Sequence, residues 1–301
     1  MRVGIGDDAA LVVGPADQEL ILTADMTLEG THFRDELHPA RAVGHRALAR
    51  SLSDIAAMGG TPRYALVSLA LTRGTARAWV KDFYAGVRAL ARRFEVALVG
   101  GDTAVVAGRT MIDVLVTGEV PPRQALLRSG ARPGDQVFVS GRLGLSALGL
   151  RLLTSRSRGR TGVTTEAIRR HLYPEPQCAL GRWLAARHLA SALIDLSDGL
   201  STDLNRLCQA SHVGSCIWSE SIPRPRLADK ELSLRLALHG GEDYQLLFAV
   251  SPSALPRIRT RFGHLPLARI GEIQKRRGVY LTGRDGRPKL LEPGGWDYFR
   301  R

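Results

Sequence analysis

The feature that most constrains the fold is the alternation of short apolar runs with longer amphipathic runs along the first third of the chain. A short apolar run bounded by Gly or Pro favours a buried strand, whereas apolar residues three or four positions apart favour a helix. These patterns predict helices at 40–58 and 76–94 and strands at 19–24, 63–72, 96–100 and 111–116. The order βαβαββ, with its last two strands paired as a hairpin, predicts an α/β or α+β domain that ends near Val120.

A domain boundary is predicted at Pro121-Pro122, because two prolines and the nearby turn sequence Pro133-Gly134-Asp135 interrupt regular structure. The boundary divides the chain into residues 1–122 and 123–301. The second part predicts another α/β unit, with helices at 145–153 and 200–210 and strands at 136–140, 193–196, 245–250, 265–271 and 278–281. An exposed, mobile loop is expected at 156–162, and the glycines of 141–144 are expected to form a tight turn rather than a phosphate-binding loop.

Length and composition indicate an ordinary soluble protein. A chain of 301 residues with 44% hydrophobic residues can bury two sizeable cores. No apolar run approaches the roughly 20 residues that span a membrane. The start, MRVGIGDDAALVV, has acids where an export signal would have basic residues, so we expect a cytoplasmic protein. Three cysteines without metal-ligand spacing are expected to be reduced thiols.

The net charge of +13 raises the possibility of nucleic-acid binding. Lysine is rare, however, the arginines are scattered, and aromatic residues make up only 6% of the chain. No interleaving of aromatic and basic residues suggests a surface on which bases would stack. We therefore expect no specific nucleic-acid partner, and a basic non-catalytic nucleic-acid-binding protein remains as the alternative of a different class.

Five segments place Asp beside Gly, Ser or Thr at the ends of strands or in loops: Gly6-Asp7-Asp8-Ala9, Thr23-Ala24-Asp25, Ser51-Leu52-Ser53-Asp54, Gly100-Gly101-Asp102-Thr103 and Asp195-Leu196-Ser197-Asp198-Gly199. Any one of them has a simple explanation; Ser53 and Asp54, for instance, are residue types that cap a helix. The recurrence favours a functional explanation instead. Small neighbours leave room for a hydrated divalent cation beside each carboxylate.

Several classes of reaction are excluded because the sequence lacks their motifs. It contains no P-loop, no protein-kinase signature set and no G-x-S-x-G elbow. Carboxylates brought together repel one another unless cations neutralise them. Mg²⁺ bound by few protein ligands usually also binds phosphates, so the inventory suits phosphoryl transfer.

Seven motifs, in order, resemble those of the thiamine-monophosphate kinase family: GIGDDAAL, LTADMTLEGTHF, SLSDIAAMG, VGGDT, SGARPGD, IDLSDGLSTDL and GGEDYQLLF. The resemblance runs from Val3 to Phe299. It implies a two-domain aminoimidazole ribonucleotide synthetase-like fold, with an N-terminal mixed sheet and helices that pair in a homodimer and a C-terminal α/β sandwich. ATP would lie in the cleft between the domains. Other enzymes of that superfamily share the ATP site but not this motif set, and a relative acting on a different small substrate is the nearer alternative.

The resemblance also implies the site residues. Several Mg²⁺ ions would be held by Asp8, Thr23, Ala24, Asp25, Asp54, Asp102, Asp195 and Asp198. Ala24 stands where a hydroxyl residue is common in the family, which leaves only its backbone carbonyl to offer a metal. ATP would contact Tyr84, Gly101, Asp102, Arg128 and Ser197. Thiamine monophosphate would contact His32, Glu242 and Trp296.

Two of these assignments have simpler alternatives. His32 has the residue type of an ordinary surface histidine, and Trp296 would serve equally well as an aromatic anchor for the C-terminal tail. No general base is expected, because the acceptor is a phosphate monoester whose second pKa is about 6 and which is largely ionised at neutral pH. Direct in-line transfer from ATP to that phosphate is the reaction the resemblance implies.

Overall fold

The computed structural model describes residues 2–4, 6–14, 18–155 and 162–297. The strands are β1 (Ala10–Val13), β2 (Glu19–Leu28), β3 (Thr61–Thr72), β4 (Ala97–Val106), β5 (Met111–Val120), β6 (Gln136–Ser140), β7 (Ala192–Asp195), β8 (Gly214–Trp218), β9 (Leu246–Val250), β10 (Arg261–Phe262), β11 (Leu265–Gln274), β12 (Gly278–Thr282) and β13 (Pro288–Leu290). The helices are α1 (Ala40–Ala57), α2 (Arg77–Arg93), α3 (Leu145–Thr154), α4 (Gly162–Leu172), α5 (Cys178–Ala186), α6 (Leu200–Ala210) and α7 (Lys230–His239). Two 3-10 turns lie at Ser219–Ser221 and Leu255–Arg257. Within the described residues, no helix is both long enough and apolar enough to cross a membrane.

The N-terminal sheet has the strand order β1-β2-β5-β3-β4. Its central strand β5 buries every second residue, and Ile112, Val114 and Val116 are fully enclosed beneath α1. The mixed sheet with helices confirms the predicted fold class. The predicted hairpin is wrong, because β4 pairs with β3 in parallel and β5 lies on the other side of β3. The α2 crossover sets β4 parallel to β3, and the alternating apolar residues of β5 favour a central rather than an edge position.

Helix α1 occupies the centre of the molecule, and fourteen of its eighteen residues are buried. It contacts the N-terminal sheet, α2, and α5 and β7 of the second domain. Glycines allow the close approach of α2: a Cβ at Gly44 would lie 2.0 Å from the Phe83 carbonyl oxygen, and one at Gly86 would lie 2.0 Å from that of Arg41. The buried residues of α1 lie on all of its sides rather than along one stripe, which explains the weak amphipathic pattern of its sequence.

The second domain is built on an eight-stranded sheet in the order β13-β12-β8-β11-β6-β9-β7, with β10 paired to β11. Helices α3–α7 belong to this domain. A single core extends from α1 into it, since Leu48 and Ile55 belong to the same buried cluster as Leu184 of α5 and Phe248 of β9. The predicted boundary between residues 122 and 123 falls in the segment that joins β5 to β6 and stays a prediction.

Several local predictions need correction. Strand β2 continues to Leu28, so Asp25 lies within a strand rather than after one. Helix α1 runs unbroken to Ala57, so the interpretation of Ser53 and Asp54 as a cap of a second helix is wrong. The segments of α4, α5, α7 and β8 were not predicted. The predicted loop at 156–162 lies outside the described residues except for Gly162, which begins α4.

Among the described residues, no helix packs against one of the two faces of the N-terminal sheet. Side chains of residues paired across neighbouring strands point to the same face of the sheet. The face that points away from α1 carries six exposed large side chains, which are Leu20, Leu22, Met26, Tyr64, Leu66 and Met111. We call this set the outer face.

All three cysteines are buried and free.

Candidate active site

Three carboxylates converge where the two domains meet. Asp8 comes from the loop before β1, Asp54 from the last turn of α1, and Asp195 from the end of β7. One carboxylate oxygen of each lies within 4.8 Å of the other two. The shared core around α1 therefore brings together side chains that are as much as 187 residues apart in sequence (195 − 8).

The electrostatics of this cluster favour a divalent cation. Burial raises the pKa of Asp54 well above its usual range, and Asp25, Asp195 and Asp8 raise it further. The pKa of Asp195 is raised in the same way, by burial and then by Asp8. The Oδ2 atom of Asp8 is buried without a hydrogen-bond donor. Oxygen ligands that repel one another, one of them lacking a partner, fit the donor set that Mg²⁺ prefers.

Neighbouring side chains orient the three carboxylates. The Thr23 hydroxyl donates to Asp54. The Ser53 hydroxyl donates to Asp195 across 2.6 Å, and the Arg128 guanidinium donates to Asp8 across 2.8 Å. The predicted residues Thr23 and Arg128 thus meet the cluster. Ala24 follows Thr23 in β2 and faces the outer side of the sheet.

A pocket of about 330 Å³ opens beside the cluster. It is lined by eight predicted residues, which are Asp25, His32, Asp54, Asp195, Ser197, Asp198, Glu242 and Trp296. Predicted metal-binding and acceptor-binding residues therefore share one cavity. Its volume falls within the range of small-molecule sites, roughly 300–1,000 Å³.

Asp198 reaches this pocket from a tightly held loop. Arg206 of α6 donates to Asp198 across 2.5 Å and to buried Asp203 across 2.9 Å. The second oxygen of Asp203 accepts the backbone N–H groups of Asp198 and Gly199, each at 3.0 Å. Sequence reasoning did not single out Asp203 or Arg206, although both lie on α6 directly after the IDLSDG motif.

Glu242 also lines the pocket and is held by Arg46. The Arg46 side chain is only 3% exposed and donates to Glu242 across 2.6 Å. It also donates to the backbone oxygens of His32 and His171, so a single guanidinium joins α1, the 28–33 loop, α4 and the Glu242 loop. Burial alone would raise the pKa of Glu242, but Arg46 and other neighbouring cations outweigh it and lower that pKa to about 2. Glu242 is therefore ionised at neutral pH.

His32 has a defined tautomer. The backbone N–H of Leu28 donates to its Nδ1 across 2.9 Å, which leaves Nε2 to carry the ring proton. Burial, followed by the charge of Arg50, lowers the pKa of His32 to about 4. At neutral pH the ring is therefore neutral, with a donor at Nε2.

Trp296 reaches the pocket from the C-terminal tail. Its backbone N–H donates to the Asp198 carbonyl across 3.1 Å. A Cβ at position 295 would lie 1.9 Å from that carbonyl oxygen, so the close approach of the tail requires Gly295. The indole is 48% exposed and lines the pocket. The tail is thus anchored by its backbone, and the ring is left beside the cavity.

Three predicted residues do not join the site within one chain. Tyr84 packs edge-on against Phe83 in α2. Gly101 shares a cross-strand row with Asp25 but is three strands away, roughly 14 Å. Asp102 aligns with Met26 on the outer face, on the side opposite to Asp25. Their roles in binding ATP and metal stay predictions.

Sequence reasoning missed two arginines of α1: Arg50, which lines the pocket, and Arg46, which binds the lining residue Glu242. Arg46, Arg50 and Asp54 are spaced by four residues and lie along one side of the helix. That spacing was visible in the sequence. The spacing alone did not predict a binding surface, because α1 is buried on all sides. Only the tertiary structure shows which side of the helix faces the cavity.

Comparisons with known proteins agree with this architecture. The family profile described as AIR synthase related protein, N-terminal domain, matches residues 6–120, and its C-terminal counterpart matches residues 132–284. Thiamine-monophosphate kinase from Bacillus subtilis is 37% identical over 307 residues, which cover 99% of this chain and 94% of that protein. The enzyme of the same name from Escherichia coli is 37% identical over 306 residues, which cover 99% of this chain and 92% of the relative.

A solved structure described as AaThiL complexed with AMPPCP and TMP has the same fold. It superposes with a TM-score of 0.86 at 35% sequence identity, covering 99% of this chain and 93% of that one. The similarity covers nearly the full length of both chains and therefore both domains. The chain belongs to the thiamine-monophosphate kinase family, within the AIR synthase related proteins.

Proposed function

We propose that the protein transfers the terminal phosphoryl group of ATP to thiamine monophosphate, giving thiamine diphosphate and ADP, in a reaction that requires Mg²⁺. The observation that carries this proposal is the cluster of Asp8, Asp54 and Asp195 beside a pocket that also contains Glu242 and Trp296. The cluster suits the phosphates, and Glu242 and Trp296 suit a cationic aromatic acceptor. The names of the similar proteins support the same reaction.

Different residues of the chain would bind the metal and the acceptor. Asp8, Asp54 and Asp195, with Asp25 and Asp198, would hold Mg²⁺. The bound ions neutralise charge on the phosphates. Arg46 fixes Glu242, which together with His32 and Trp296 positions the acceptor. An oxygen of the acceptor phosphate forms a bond to the terminal phosphorus of ATP as the bond to ADP breaks. That oxygen is already ionised, so no side chain has to remove a proton from it.

The assay that tests the proposal is ADP release by the purified protein with Mg²⁺ and ATP. Release is expected with thiamine monophosphate and not with thiamine, which has no phosphate to accept the group. Formation of thiamine diphosphate, measured by chromatography, should equal the ADP released. ADP released equally with and without thiamine monophosphate would contradict the proposal and favour another ATP-dependent reaction of the superfamily.

Arg128 is predicted to affect ATP more than the acceptor. Its guanidinium donates to Asp8, and its backbone N–H donates to Asp7, so it supports the metal side of the site. Replacing it (Arg128→Ala) should raise the KM for ATP about tenfold or more, as expected for loss of a charge-assisted contact, and change the KM for thiamine monophosphate less than about twofold. Initial rates with each substrate varied in turn measure both constants. Arg132→Ala, on the exposed side of the same segment, is the matched control. Equal increases in both constants would assign Arg128 to domain packing.

Trp296 is predicted to recognise the acceptor. An indole face attracts the cationic thiazolium ring by roughly 0.5–2 kcal/mol, so Trp296→Ala should raise the KM for thiamine monophosphate about 2- to 30-fold. The KM for ATP and the melting temperature should stay close to those of the unaltered protein. Trp296→Phe, which keeps an aromatic face, should lie between the two. If the alanine variant instead melts much lower with an unchanged acceptor KM, the ring only anchors the tail.

We further propose that the protein is a homodimer paired through the outer face. Six large apolar side chains of that face are exposed, and soluble proteins seldom leave so many on one face in water. Asp102 lies on the same face, so pairing would bring the Asp102 of each copy to the interface with the other copy. Three free cysteines and the use of ATP support a cytoplasmic location.

A charge on the outer face should disrupt the dimer. Leu66, 38% exposed at the centre of that face, is the position to change. Leu66→Lys is expected to give a monomer by light scattering, with turnover reduced because Asp102 no longer meets a second copy. Leu290→Lys, at a 56% exposed leucine of β13, is the control and should leave both the mass and the turnover unchanged. The proposal fails if the unaltered protein is already monomeric at assay concentration and fully active.

A further inference from the structure

Arg50 lies between the two halves of the pocket. It is one helical turn before Asp54 and one turn after Arg46 on α1, and it lines the cavity. Its Nη2 is 3.4 Å from an oxygen of Asp25, on the metal side. Its Nη1 is 3.9 Å from an oxygen of Glu242, on the acceptor side. The side chain is 14% exposed, so its charge is only partly screened by water.

Both of these contacts are long. A charge-assisted bond between a guanidinium and a carboxylate typically spans about 2.7–2.9 Å and is often paired in a fork. Arg46 makes such a bond to Glu242 at 2.6 Å, and Arg206 makes one to Asp198 at 2.5 Å. Arg50 differs from Arg46 and Arg206 in lining the cavity itself, so its guanidinium is placed to contact an anion that enters the cavity.

The distribution of charge in the pocket favours binding of an anion next to Arg50. Five carboxylates line it, which are Asp25, Asp54, Asp195, Asp198 and Glu242. Among the described lining residues, Arg50 is the sole lysine or arginine, and His32 is neutral at physiological pH. Arg46, Arg128 and Arg206 are each bound to a carboxylate of the site. A dianionic phosphate that enters from the Glu242 side therefore meets one cationic side chain at the cavity wall, and that side chain is Arg50.

We propose that Arg50 binds the phosphate group of the acceptor and thereby makes the site select a phosphorylated over an unphosphorylated acceptor. The inference rests on the proposed function, since it assigns a residue to the acceptor of that reaction. A planar guanidinium matches two phosphate oxygens at once, which also fixes the direction of the third oxygen. Arg50 would then orient the attacking oxygen towards the metal side of the cavity as well as attract the substrate.

The decisive experiment compares binding of thiamine monophosphate with binding of thiamine, by calorimetry with Mg²⁺ and without ATP, so that no turnover occurs. In Arg50→Ala, the Kd for thiamine monophosphate should rise about 10- to 100-fold, as expected for loss of a charge-assisted contact. The Kd for thiamine should change less than about twofold, because it has no phosphate. Arg50→Lys keeps the charge without the fork and should give an intermediate Kd for thiamine monophosphate.

Arg41→Ala is the matched control, because Arg41 lies on the same helix but is exposed and outside the pocket. Melting temperatures establish that the variants are folded, and the lysine variant answers the question if the alanine variant is not. Equal weakening of both ligands, or an unchanged preference for the phosphorylated one, overturns the assignment of Arg50. These outcomes are separate from failure of the proposed function, in which the unaltered protein would release no ADP in response to thiamine monophosphate.

Discussion

Replacing Asp54 by Asn is expected to abolish turnover without unfolding the protein. Asp54 lies in the carboxylate cluster and faces Asp25, Asp8 and Asp195. Loss of one ligand of a catalytic metal costs several kcal/mol of transition-state stabilisation, and about 4 kcal/mol corresponds to a roughly 10³-fold fall in kcat. Since the carboxylate is repelled by its neighbours when no cation is bound, the amide should not lower the melting temperature of the metal-free protein.

The stability measurement makes this prediction specific. Mg²⁺ with ADP should raise the melting temperature of the unaltered protein, because ligands that bind only the folded state stabilise it. In Asp54→Asn most of that increase should disappear. Asp82→Asn, the same substitution on the exposed surface of α2, is the control and should keep both the increase and the activity. A folded Asp54→Asn variant with near-normal kcat would remove Asp54 from the metal site.

Loss of Arg46 is predicted to lower stability as well as activity. Removing one partner of a buried ion pair leaves an unpaired charge, which typically costs about 3–5 kcal/mol. Glu242 retains Arg50 at 3.9 Å and is 23% exposed, so we expect the lower end, about 3 kcal/mol, for Arg46→Met. Activity should also fall, because the same guanidinium holds the backbone of His32 and the Glu242 carboxylate.

A double-mutant cycle separates this effect from a simple loss of packing. Glu242→Gln removes the charge and keeps the shape of the side chain. The double variant Arg46→Met/Glu242→Gln should therefore be less destabilised than Arg46→Met alone, because no unpaired carboxylate remains. Denaturant unfolding of the four proteins gives the coupling free energy. Strictly additive effects would show that the ion pair does not act as a unit.

Much of the chemistry could be predicted from local sequence. Several strands and helices, such as α1, α2, β3 and β6, lie within a few residues of their predicted bounds. The recurrence of Asp beside small residues indicated a metal and phosphate site from residue types and spacing alone. Motif order then implied the family and most of the residues that the pocket brings together.

Other features depended on interactions between distant segments. The position of β5 between β2 and β3 is one example. The sequence of a short connection between β4 and β5 does not reveal whether the two strands pair with each other or lie on either side of a third strand. Arg46 and Arg50 are another: on a helix buried on every side, spacing alone does not reveal which stripe faces a cavity. Asp102 is a third, because its motif suggested a ligand, while the sheet register places it on the outer face.

The sequence by itself determined the inventory of the site, because carboxylates beside glycines and hydroxyls restrict the chemistry wherever they lie in the chain. It also determined the helices and strands whose side-chain periods are strong. Only the tertiary structure decided that Asp8, Asp54 and Asp195 meet, that Arg46 holds Glu242, and that Arg50 separates the two halves of the pocket. The physical reason is that these contacts join residues up to about two hundred positions apart. Their distances follow from how α1 packs between the two domains, and no local pattern encodes that packing.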